Sequence, residues 1–292
     1  MATSPSKLAG FLNRHAVIAF FLLATVLGGG VTVLVVQGIL PSNLALVSAL
    51  SALISGIILT AIVDGRAGLK RLLARYLIWR VGIGAWLFAF VFILPALLLG
   101  SLANPLFGGD PLILHSFAPP FPLLPMFLVF FLVAGVGEDL GWTGFLIPRL
   151  QIRYNALISS LIRGVLWGLW HMPLWFCARS DPVSLRDFPY GSWIAQRGFW
   201  FSIAVFFVLF VIPWSIIYSW LFNNTRGSLL LVSLLHGSEI WAAFLMVGAG
   251  IDPLNLANYW GYGVVLFGVS ILLVLTSGVE HLSRKHSRII HS

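Results

Sequence analysis

The sequence predicts an all-α polytopic membrane bundle of about eight transmembrane helices, with both termini cytoplasmic. Three observations predict it. Of 292 residues, 59% are hydrophobic and 9% charged, against about 25% charged in a soluble domain; mean hydropathy is +0.99. The apolar residues run in unbroken blocks of about 20, not in the alternation of a membrane β-barrel. The cations lie between those blocks and mostly on one side. A span and its loop take about 30 residues. Residues 1–292 therefore read as a single integral membrane domain, with no room for a sizeable soluble one.

The first block, Ala16–Val36, follows Lys7 and Arg14. It is longer than the roughly 7–15-residue apolar region of a signal peptide, so it reads as a retained span. The second runs from Leu44 to Val63 after the turn Pro41-Ser42-Asn43. Arg66, Lys70, Arg71, Arg75 and Arg80 then interleave with Leu69, Leu72, Leu73, Tyr76 and Leu77, a spacing that suits an amphipathic helix on the membrane surface. The third span is Val81–Leu99, followed by a loop rich in turn residues that ends in Pro119-Pro120. The remaining spans are Leu123–Leu140, Gly164–Ala178, Trp200–Phe222, Ser228–Val247 and Tyr259–Ser277, before a polar, basic tail. No internal repeat of the kind common in secondary transporters is evident.

With the N-terminus inside, 14 of the 17 Lys and Arg residues fall on the cytoplasmic side. Only Arg179, Arg186 and Arg197 fall opposite, which favours an even number of spans. The net charge of +8 is thus assigned to topology and anionic membrane lipids, and nucleic acid is excluded as a partner. The lone cysteine, Cys177, permits no intrachain disulfide and reads as a small apolar filler.

Ionisable side chains inside spans cost about 2.5–3.5 kcal/mol on insertion scales, so they mark candidate sites. Three places qualify: Glu138-Asp139, His171, and His236 with Glu239. With Arg149, Arg163 and Arg226 taken as markers of the cytoplasmic interface, Glu138, His171 and His236 lie at depths of roughly 12–17 Å. Three helices would then bring a carboxylate and two imidazoles to one level. The stretch from Arg163 to Arg179, interrupted by Pro173, is expected to be a short, broken span of about 22 Å beside a water-filled cavity.

A carboxylate and two imidazoles suit two hydrolytic chemistries. They can hold Zn²⁺ with a fourth position for water, through Glu138, His171 and His236. Alternatively Glu138 deprotonates water without a metal while an imidazole polarises the carbonyl. Other protease classes fit poorly. No His-Glu-x-x-His occurs on any helix, and Ser233 and Ser238 flank His236 without a nucleophile signature. Gly135-Val136-Gly137-Glu138-Asp139 is similar to the Gly-x-Gly-Asp of aspartyl intramembrane proteases but one residue out of register. Structural alternatives are Glu138-Asp139 ending a span at the interface, histidines bonded to backbone carbonyls, and Glu239 pairing with His236 one turn away.

Gly137-Glu138-Asp139-Leu140-Gly141-Trp142-Thr143-Gly144-Phe145-Leu146 resembles the first motif of the CPBP family, the CAAX-protease and bacteriocin-processing (Abi) membrane proteins, which include type II CAAX prenyl endopeptidases. That motif is Glu-Glu-x-x-x-Arg. The second, Phe-x-x-x-His, resembles Trp167-Gly168-Leu169-Trp170-His171, and the third, His-x-x-x-Asn, resembles His236-Gly237-Ser238-Glu239-Ile240. Asp139 stands for the second Glu, Thr143 for the Arg, Trp167 for the Phe and Ile240 for the Asn.

The resemblance covers residues 123–241 as a catalytic core. It implies an intramembrane endopeptidase acting on a membrane-associated or lipidated peptide. Glu138, Asp139, His171 and His236 would be catalytic, and Trp142, Thr143, Trp167 and Glu239 supporting. The setting expected is a prokaryotic cytoplasmic membrane. The rival readings are a catalytically impaired scaffold or immunity protein, motivated by Thr143 and Ile240, and a small proton-coupled transporter.

Overall fold

The computed structural model describes residues 7–113, 122–180, 189–252 and 254–283. Pro119-Pro120, Arg186 and the tail cations Arg284, Lys285 and Arg288 lie outside these residues. Among the described residues all regular structure is helical. The elements used below are α1 (Ala16–Val36), α2 (Ser51–Val63), α3 (Gly65–Ala74), α4 (Ile83–Val91), α5 (Ile93–Ala103), α6 (Leu124–Gln151), α7 (Ala156–Ser180), α8 (Phe199–Asn224), α9 (Leu229–Gly248) and α10 (Leu256–Ser277).

Five of these, α1, α6, α8, α9 and α10, are long and apolar enough to cross a bilayer. A sixth span arises if the pair formed by α4 and the helix over Ile93–Phe107 is counted as one, although it bends by 41°. The bend has a local cause. Pro95 cannot donate to the carbonyl of Val91, and its ring crowds that carbonyl, so the expected continuous span Val81–Leu99 breaks at Phe92. Two other expected spans take a different form. The second is divided, with α2 only 13 residues long after a separate short helix, Ala45–Ala49. The fifth, α7, has 25 residues, but Arg163, His171 and its indoles dilute its hydropathy.

The expectation of a short, broken fifth span is corrected. α7 runs unbroken for about 37 Å with Pro173 inside it. Its N-terminal donors are met by the chain's C-terminal turn. Leu157 N–H donates to the Val279 carbonyl at 3.0 Å, and Ala156 N–H to the Glu280 carbonyl at 2.9 Å. Arg163, read as a marker of the cytoplasmic interface, has a fully buried side chain. The basic segment after Val63 does form a helix, α3, with Leu72 buried and Leu73 exposed.

α6 is the element that positions the polar centre. It packs between α2 and α9 at backbone distance. A Cβ on Gly141 would come within 2.3 Å of the Ala52 carbonyl oxygen, and one on Gly135 within 2.3 Å of the Ser233 carbonyl oxygen. Small residues at such crossings let membrane helices approach closely. The Gly135 carbonyl also accepts a 2.9 Å bond from Ser233 Oγ. These two contacts bracket Glu138-Asp139. Gly135→Ala is therefore expected to destabilise the fold by about 1–3 kcal/mol, since rigid backbone must shift to admit one methyl. A denaturation series in detergent that leaves the midpoint unchanged would contradict this packing.

Candidate active site

Glu138 and Asp139 do not end their helix. α6 continues to Gln151, so the reading that this pair marks an interfacial helix end is corrected. The pair lies between two π-helical stretches, Phe131–Val136 and Leu140–Leu146. Such widened turns are uncommon and recur at functional sites. The second also precedes Pro148, which lacks the donor that a regular turn would use.

Asp139 is fully buried and ties three helices together. Its Oδ1 accepts from Thr143 Oγ1 on α6 at 2.5 Å and from Arg163 Nη2 on α7 at 3.2 Å. Its Oδ2 accepts from His236 Nδ1 on α9 at 2.9 Å. Both carboxylate oxygens are thus occupied by protein donors. With Nδ1–H pointing to a carboxylate, the Nε2 edge of His236 is left for other chemistry.

Glu138 is held differently. Its Oε2 accepts from the Trp167 indole N–H at 2.7 Å, and the residue keeps 8% exposure. His171 is half-buried, one helical turn beyond Trp167. Its Nδ1 lies 2.9 Å from the Trp167 carbonyl. A carbonyl can only accept, so Nδ1 carries the proton and Nε2 the lone pair in the neutral ring. Trp167 therefore organises both residues, the glutamate through its side chain and the histidine through its backbone. Its ring centroid is 5.5 Å from that of His171 and 5.6 Å from that of His236.

Trp167→Phe keeps a ring there but removes the only donor recorded on Glu138 among the described residues. A hydrogen bond to a charged group is worth about 1.5–3 kcal/mol, so a loss of about that much stability is expected. An unchanged unfolding midpoint in that variant would show the indole bond to be dispensable.

Among the described residues Glu239 makes no direct ion pair with His236, so the alternative of a one-turn pair is not the contact seen. It accepts instead from the Tyr218 hydroxyl on α8. Tyr218 also stands beside His236, with ring centroids 5.2 Å apart. Trp142 is buried between Phe20 and Trp170, edge-on to both, and so supports packing between α1 and α7. Ile240 is half-buried and offers no polar group.

Sequence reasoning missed two members of this centre, Arg163 and Tyr218. Arg163, Trp167 and His171 recur at four-residue spacing, which places them on one helix face. That spacing was the available signal for Arg163. Among the described residues no three His, Cys, Asp or Glu side chains are grouped so as to hold a metal ion, and Glu138, His171 and His236 as placed form no such set.

Residues 120–249 match the family of type II CAAX prenyl endopeptidases, Rce1-like. A curated relative, CAAX prenyl protease 2 of Methanococcus maripaludis, is 31% identical over 137 residues. That alignment covers 47% of this chain and 44% of the relative, so less than half of the relative's length is matched.

Proposed function

We propose, from the match of residues 120–249 to the type II CAAX prenyl endopeptidase family, that the chain is an intramembrane endopeptidase hydrolysing a peptide bond of a membrane-associated or lipidated substrate. The observation that carries the reading is the convergence of Glu138 with two imidazoles, each held through Nδ1. In the proposed reaction the Glu138 oxygen not bound by Trp167 takes a proton from water as that water attacks the scissile carbonyl. That proton passes from Glu138 to the Nε2 lone pair of His171 or His236, which hands it to the leaving amine as the C–N bond breaks. Asp139 supports positive charge on His236 as the proton moves, in the way a buried aspartate serves an imidazole base.

In the membrane, the reading takes α2 with its preceding short helix and α7 as further spans. This gives about eight, with both termini cytoplasmic, in a prokaryotic cytoplasmic membrane. Support comes from the distribution of Lys and Arg. Purified protein in liposomes, given prenylated and unprenylated membrane peptides, is expected to release a fragment with a new carboxyl terminus, detectable by mass spectrometry. Intact peptides throughout, under conditions where the protein stays folded, overturn the reading.

A further inference from the structure

Thr143 stands where the Glu-Glu-x-x-x-Arg motif carries arginine, and its hydroxyl supplies no charge. The structure nevertheless places a guanidinium at the carboxylate that Thr143 contacts. Arg163, from the following helix, donates through Nη2 to Asp139 Oδ1, the oxygen that Thr143 also contacts. Arg163 is fully buried, and its guanidinium carbon lies 5.0 Å from the Trp167 ring centroid and 5.1 Å from that of Tyr218. Among the described residues its Nε and Nη1 make no hydrogen bond. A buried cation held in this way is costly unless a carboxylate offsets it, and Asp139 is the acid it touches.

We infer that Arg163 takes over, from α7, the place of the motif arginine that α6 lacks, and that it is a positioning residue of the active site. It acts through Asp139. Its charge balances the carboxylate next to Glu138, and its bond fixes Oδ1 so that Oδ2 presents squarely to His236 Nδ1. The threonine fits the relocation. A second long cation at position 143 would meet the first at one buried carboxylate, whereas a short hydroxyl leaves that space to Arg163. The replacement of Arg by Thr within the motif is thus compensated rather than a loss of charge. This inference rests on the proposed hydrolytic reading for its catalytic part only.

The test is a swap between the two helices. Arg163→Leu and Thr143→Arg are each expected to lower kcat about a hundredfold, with KM moving less than about threefold, because small misplacement of a reacting group carries that penalty. The double variant Thr143→Arg/Arg163→Leu is expected to recover to within about tenfold of wild type. Melting temperatures in detergent, which need no substrate, should follow the same pattern: each single variant lower, the double restored. A double variant no better than Arg163→Leu in melting or in kcat overturns the inference, as does wild-type behaviour of Arg163→Leu. If melting is restored but kcat is not, in a protein whose wild type cleaves, Arg163 is structural only and the inference fails. If the wild type cleaves nothing while melting shows the reciprocal pattern, the hydrolytic reading fails and the placement of Arg163 at Asp139 stands.

Discussion

Asp139→Ala is expected to cost about 3–5 kcal/mol of stability and to abolish turnover together. The magnitude follows from what remains behind. The Arg163 and Asp139 side chains are 1% and 0% exposed. Removing the carboxylate strands a guanidinium with no acid against it, and it also removes the acceptor for Thr143 and His236. Loss of one partner of a buried ion pair is worse than loss of both, because the desolvation cost of the survivor persists. Asp139→Ala/Arg163→Leu should therefore be more stable than Asp139→Ala alone. Equilibrium unfolding in detergent checks both statements. A single variant as stable as wild type would remove Asp139 from the architecture described above.

Glu138→Gln separates chemistry from fold. The amide keeps the shape of the side chain, and its oxygen can still accept from the Trp167 indole, so a wild-type melting temperature is expected. The amide is not a base, and loss of a general base typically costs about 10²–10⁴ in rate. The contrast with Asp139→Ala is diagnostic. Neighbouring acids on one helix should give opposite phenotypes, one inactive and folded, the other inactive and unstable, because one meets a single indole donor and the other a three-helix network.

Much of this arrangement was legible in the sequence, for identifiable reasons. Blocks such as Ala16–Val36 and Leu256–Ser277 are apolar over the length a bilayer needs, and the first was read to the residue. Glu138, Asp139, His171 and His236 were legible because ionisable groups in apolar surroundings persist only with partners. Proline effects were hard to read. Pro173 rides within an unbroken helix that was read as broken, and Pro95, to which no effect was assigned, bends the third span. The outcome depends on what neighbouring helices re-satisfy, and no single segment records that. The pairing of Arg163 was not legible for a related reason. A cation in an apolar run reads only as an interfacial marker until the acid opposite it is known, and that acid is 24 positions away on another helix. The π-helical stretches around Glu138-Asp139 were not read from the sequence, although Pro148 just beyond the second one removes a donor that a regular turn would use.

The central claim is that α6, α7 and α9 bring Glu138, His171 and His236 into one hydrolytic centre. Its most direct test is the initial rate of peptide cleavage by wild type and Glu138→Gln, reconstituted side by side with matched melting temperatures and given the same membrane-anchored peptide. A new carboxyl terminus produced by the wild type, with the rate down about 10²–10⁴ in the variant, is the predicted result. Equal rates in the two proteins would contradict it.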